Sequence, residues 1–189
     1  IGDRNWSSDS ILYVGSLIER KGVDLLIEAL AKCRNKSVKL VIVGDGREKD
    51  SLAQSAERLG VADRVVFKGF LAGDELRQCY KDAGAFVLPT REDCFGLVLV
   101  EAMCAKLPIL VSKYSDAASE TVEDGANGYI IDPYDAEAFA GKIDEVMADA
   151  GTRERLGMAS FSATDKFRFE SVAQGYIEAI EDALGREKR

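Results

Sequence analysis

The sequence has no histidine, so the commonest general base and a common metal ligand are both missing. Its four cysteines, Cys33, Cys79, Cys94 and Cys104, show no CxxC spacing, which leaves no zinc ribbon or thioredoxin-like motif. They read as buried or idle thiols in a reducing compartment, with Cys94 the one to watch for reactivity. Basic residues are in deficit, 25 against 33 acidic, for a net charge of −8. That balance argues against a nucleic-acid partner, so any anion must be held locally. No apolar run is long enough to span a bilayer, no signal-peptide pattern opens the chain, and no low-complexity linker divides it. With 47% hydrophobic and 31% charged residues, the 189-residue chain has an ordinary globular balance and room for one good core. Ile1 stands where a start methionine is expected, which predicts a piece of a longer protein.

Six apolar stretches recur: ILYVGS (11–16), VKLVIVGDG (38–46), RVVFKGF (64–70), GAFVLPT (84–90), PILVSK (108–113) and NGYIID (127–132). They run nearly continuously rather than alternating, as parallel strands buried on both faces do. Between them lie segments with helical spacing: Val23, Leu26, Ile27, Leu30 and Cys33; then Leu52, Ala56 and Leu59; then Leu76, Cys79, Tyr80 and Ala83. The alternation predicts an α/β fold with a doubly wound, six-stranded parallel sheet. After residue 132 the pattern is helical throughout, ending in a stripe of Val172, Tyr176, Ile177, Ile180 and Leu184 behind Phe161, Phe167 and Phe169. That stripe either packs on its own domain or covers a neighbour. The expected organisation is a lead-in over 1–10, a Rossmann-like domain over 11–150 and C-terminal helices over 151–189.

In such a sheet, ligands bind outside the carboxyl ends of the strands. Gly15, Ser16 and Leu17; Gly44 to Gly46; Gly69, Phe70 and Leu71; Thr90 to Asp93; and Ser112 to Ser115 all fall on that edge. VGDGREKD lacks the Gly-Lys-Ser/Thr ending of a phosphate loop, and Lys49 stands where a dinucleotide fingerprint has its third glycine. Gly44 and Gly46 then read as a tight turn. Lys21, just before a helix, is either a solvated lysine or a cation within reach of an anion at the rim.

The stretch REDCFGLVLVEAM (91–103) carries two carboxylates, Asp93 and Glu101. A helix starting near Phe95 would aim the amides of Phe95, Gly96 and Leu97 at the rim and favour an anion there. Asp93 is then either a helix cap or a ligand contact. Eight residues of helix would set Glu101 about 12 Å from Asp93. That is wider than the roughly 5–9.5 Å of a glycoside-hydrolase pair, but suited to opposite ends of a long ligand. Ionised carboxylates accept hydrogen bonds from hydroxyls well.

The segment DCFGLVLVEAM resembles the E-x7-E segment of the retaining glycosyltransferases of family 4, and further blocks agree in order from Ile11 onward: VGSLIERKGVDLLIEAL, VIVGDG, VFKGFLAGDELRQCYKDAGAFVLPT and ETVEDGANGYIIDPYDAEAFAGKI. The resemblance implies the C-terminal, donor-binding half of a GT-B enzyme of hexosyltransferase type, using a nucleoside-diphosphate sugar. It implies that Lys21 contacts the diphosphate, with Gly15, Ser16 and Arg20 beside it. Phe95, Gly96 and Leu97 would hold the far phosphate, and Glu101 would bind ribose hydroxyls. Asp93 would meet the transferred sugar, and the backbone at Gly69, Phe70 and Leu71 the base. Asp93 and Lys21 are the expected catalytic pair. No metal and no cofactor is expected. The acceptor site would lie on a missing N-terminal domain, so this chain should bind donor without transferring it. A role in polysaccharide biosynthesis and a cytoplasmic location follow, with peripheral membrane association left to the missing half. Two departures stand out: Ser16 replaces a common arginine, and Asp93 is one methylene shorter than the usual glutamate. A non-catalytic scaffold of the same fold and a nucleotide-sugar epimerase are the alternatives.

Overall fold

The computed structural model describes residues 4, 6–94, 96–168, 170–171, 173–174, 176–178 and 180. Six strands, β1 (Ser10–Val14), β2 (Lys39–Val43), β3 (Val65–Gly69), β4 (Ala85–Leu88), β5 (Ile109–Ser112) and β6 (Gly128–Ile131), form one sheet in the order β3-β2-β1-β4-β5-β6. Every pairing is parallel. The predicted apolar runs and the strands coincide, and β1, β4 and β5 are buried almost throughout. Strand β3, at one edge, alternates, with Val66 and Lys68 facing solvent, whereas β6 at the other edge stays mostly buried.

Helices α1 (Val23–Lys32), α2 (Lys49–Arg58), α3 (Gly73–Asp82), α4 (Leu97–Cys104), α5 (Ala118–Thr121), α6 (Ala136–Val146) and α7 (Ala150–Ser162) link and cover the strands. Helix α1 packs on α2 and α6, while α7 packs on α4, β5 and β6. Asp135 and Asp149 start α6 and α7 by accepting the amides of Ala138 and Thr152, the usual work of an aspartate at a helix N-cap. Tyr13, Phe86, Phe139, Leu12 and Leu26 are among the large side chains sealed in the core. Each such burial contributes on the order of 1.5–3 kcal/mol. Leu59, expected in the stripe of α2, instead lies at the helix end and is exposed.

The segment before β1 is tied down. The Arg4 guanidinium donates to the carbonyls of Tyr80, Ala83 and Ala105, and the buried Arg153 donates to the carbonyl of Trp6. At the other end, Phe169, Val172 and Leu184 lie outside the described residues. Tyr176, Ile177 and Ile180 are helical and largely exposed.

Candidate functional site

The order β3-β2-β1-β4-β5-β6 reverses direction between β1 and β4, and a crevice opens at such a switch point beyond the strand ends. The loops that follow β1 and β4 meet there. After β1 the chain passes Gly15 and Ser16, makes a short 3-10 turn over Glu19–Lys21, and enters α1 through Gly22. Gly22 has φ 67°, and a Cβ on it would lie 2.1 Å from the Pro89 carbonyl oxygen. Only glycine suits both the left-handed backbone and that close approach. It presses the two loops together and orients the preceding lysine.

Further bonds fix the contact. The Arg91 amide donates to the Arg20 carbonyl at 2.8 Å, and the buried Thr90 hydroxyl lies within bonding distance of the Arg20 and Glu92 carbonyls. The Arg91 guanidinium forks onto the Asp24 carboxylate at 2.8 and 2.7 Å and also donates to the Glu19 carbonyl. That fork holds Arg91 protonated beyond its ordinary range, through the Asp24 hydrogen bonds first. A third loop joins from β5: Asp93 bridges to Ser115, donating its amide to the Tyr114 carbonyl and accepting the Asp116 amide.

Within this frame the Lys21 ammonium lies 2.6 Å from Asp93 Oδ2, with the two side chains only 17% and 11% exposed. The two expected catalytic residues are therefore an ion pair in contact. Arg20 is beside them, donating to the Glu92 carbonyl at 3.0 Å. The phenol of the buried Tyr13 reaches the Ser16 carbonyl at 2.9 Å, and burial, with the Asp93 charge next, holds it protonated well above the usual range. Gly15 docks on β2 through the Val43 carbonyl.

Helix α4 corrects one expectation. It begins at Leu97, with Gly96 as N-cap in the left-handed region at φ 63°, rather than near Phe95. Phe95 lies outside the described residues. The first helical amides are those of Leu97 and Val98, while Leu99 already donates to Gly96. Asp93 thus precedes the helix and, among the described residues, makes no cap bond to it, so the spacing of about 12 Å, which assumes a helix through Asp93, does not apply. Leu97 is 70% exposed beside this turn.

Glu101 sits in the middle of α4, exposed, and accepts a hydrogen bond from the Tyr80 hydroxyl of α3 at 2.8 Å. Both line a groove of about 400 Å³ between the helices, with Leu76, Arg77 and Cys104. Burial, then the hydrogen bond and charge of Glu101, keep the Tyr80 phenol protonated far above its usual range, so it remains a donor. Sequence reasoning placed Tyr80 in the apolar stripe of α3 and missed this bond, which carries no signature in spacing. Gly69, Phe70 and Leu71 lie at the far strand, β3, separated from β1 by β2; the Gly69 carbonyl accepts the Gly44 amide, and Phe70 is 77% exposed. Among the described residues, no three His, Cys, Asp or Glu side chains gather into a metal-binding group. No described helix is long and apolar enough to cross a membrane.

The model of the family described as glycosyl transferases group 1 matches residues 4–162. An uncharacterized glycosyltransferase of Methanocaldococcus jannaschii is 34% identical over 176 residues, or 92% of this chain and 45% of that protein. The lipopolysaccharide core biosynthesis glycosyltransferase LpsE of Rhizobium meliloti is 33% identical over 171 residues, 90% of this chain and 49% of that protein. The chain thus spans about half the length of the curated relatives it matches. Among solved structures, HepE of Anabaena in complex with UDP superposes with a TM-score of 0.81 at 28% identity, over 93% of this chain and 49% of that one. The C-terminal domain of LpcC, a glycosyl transferase group 1 family protein from Francisella tularensis, superposes with a TM-score of 0.75 over 85% of this chain and 86% of that one. At 23% identity that second likeness concerns the fold alone.

Proposed function

This chain belongs to the group 1 glycosyl transferases, and from that premise we propose that it is the donor-binding part of a retaining, metal-independent enzyme that uses a nucleoside-diphosphate sugar. The observation that carries the reading is the Lys21–Asp93 pair at the switch point of the sheet, next to the opening of α4. A diphosphate placed there meets one ammonium, the neighbouring Arg20 and a helix N-terminus, all fixed before any ligand arrives. As the bond from the sugar to the diphosphate breaks, negative charge grows on the leaving phosphate, and fixed positive groups stabilise it more than they stabilise the starting state. Lys21 and the first amides of α4 have that role, which needs no metal. Asp93 lies on the sugar side of the pair and accepts from a hydroxyl. Glu101, farther along α4, receives the ribose hydroxyls, and the backbone at Gly69, Phe70 and Leu71 the base. The acceptor and any base that serves it belong to another half of the protein, facing the exposed Tyr176, Ile177 and Ile180. Alone, the chain binds donor without transferring it.

Calorimetry with UDP, GDP and ADP tests the reading. One of them should bind, and Glu101→Gln should weaken that binding by about tenfold, in line with about 1.5 kcal/mol for a hydrogen bond to a charged group, at unchanged melting temperature. Binding of none of the three would exclude a donor site and favour a scaffold role. Unaltered affinity in the variant would remove Glu101 from the ribose.

A further inference from the structure

Tyr80 is buried on α3 to 5% exposure, with its ring tilted against Phe86 of β4 at a centroid distance of 6.1 Å. Its backbone is held as well, since the Tyr80 carbonyl accepts from Arg4 at 3.1 Å. The phenol is therefore a donor fixed in space by packing, and its hydroxyl is spent on one atom, Glu101 Oε2. Glu101 by contrast projects from α4 into the α3–α4 groove, has the Tyr80 hydroxyl as its one side-chain partner among the described residues, and has three rotatable bonds to lose on binding. We infer that Tyr80 is a positioning residue for the donor site: it anchors one oxygen of Glu101 so that the other is presented to the ribose diol. The inference rests on the proposed ribose role of Glu101 and deepens it. A carboxylate with one oxygen already engaged offers its second oxygen in a set direction, and pre-orientation of this kind raises affinity by lowering the ordering penalty of binding.

The test compares UDP, GDP and ADP with their 2′,3′-dideoxy forms, on the 189-residue wild type and on Tyr80→Phe, which keeps the ring against Phe86. The wild type should bind the ribose form of its nucleotide more tightly than the dideoxy form. Tyr80→Phe should lose about tenfold, equivalent to 1.4 kcal/mol, for the ribose form and nothing for the dideoxy form. On a Glu101→Ala background the same change should have no effect. If Tyr80→Phe weakens both forms alike, or leaves the ribose preference intact, the positioning role is overturned while the donor reading stands. If the wild type does not distinguish ribose from dideoxyribose, or binds no nucleotide, the ribose role itself is overturned and the inference with it.

Discussion

Lys21 and Asp93 neutralise one another at 2.6 Å, so the diphosphate proposed to bind there would meet a cation that already has a partner. Two unit charges at about 4 Å interact by about 4 kcal/mol at an effective dielectric of 20, and partial exposure lowers that figure. Removing the carboxylate charge therefore frees the ammonium. Asp93→Asn should bind the bare nucleoside diphosphate several-fold tighter, with the gain shrinking as salt is raised, while a nucleotide sugar gains less because it forfeits the hydroxyl contact proposed for Asp93. Titration calorimetry at low and high salt reads both, and equal affinity for wild type and variant would show that the pair does not restrain Lys21. The candidate carboxylates were legible from the sequence by their place around a predicted helix start. Their partners were not: nothing in the spacing of Asp93 points to a lysine 72 residues earlier, or in that of Glu101 to a phenol on α3. Both contacts depend on which strands are neighbours.

At the scale of elements, the loops after β1 and β4 act as one piece because Gly22 lets them touch. Gly22→Ala places a Cβ against the Pro89 carbonyl and forces a side chain into the left-handed region, a conformation that costs about 1–2 kcal/mol before any clash. The variant should lose about 2 kcal/mol or more, read as a lower urea midpoint. It should also bind nucleotide more weakly, since Lys21 precedes the strained residue. Full stability would show that the loops can part. The six strands were readable because burial on both faces leaves long apolar runs. The start of α4 was placed early because Gly96 interrupts the segment with a left-handed turn that apolar periodicity does not register. The four-residue α5 went unforeseen for a simpler reason, since one turn is too short to show a period.

For the molecule as a whole, two buried phenols set an alkaline limit. Tyr13 and Tyr80 both keep their protons in the fold well past the point at which an unfolded chain releases them. Their contribution to stability is complete below about pH 10 and is lost as pH rises beyond it, at roughly 1.4 kcal/mol per pH unit for each phenol. Urea midpoints measured from pH 9 to 11 should fall, and Tyr80→Phe should fall less steeply. A midpoint that stays level across that range would contradict the burial of these groups. Arg4 adds a consequence of another kind. Its one side chain clasps the trailing ends of the two helices that bear Tyr80 and Glu101, so the residues ahead of the first strand are part of the groove's support. A graft of this domain onto a foreign partner should put the seam upstream of Arg4, because a junction at Ile11 would leave those helices without their fastener.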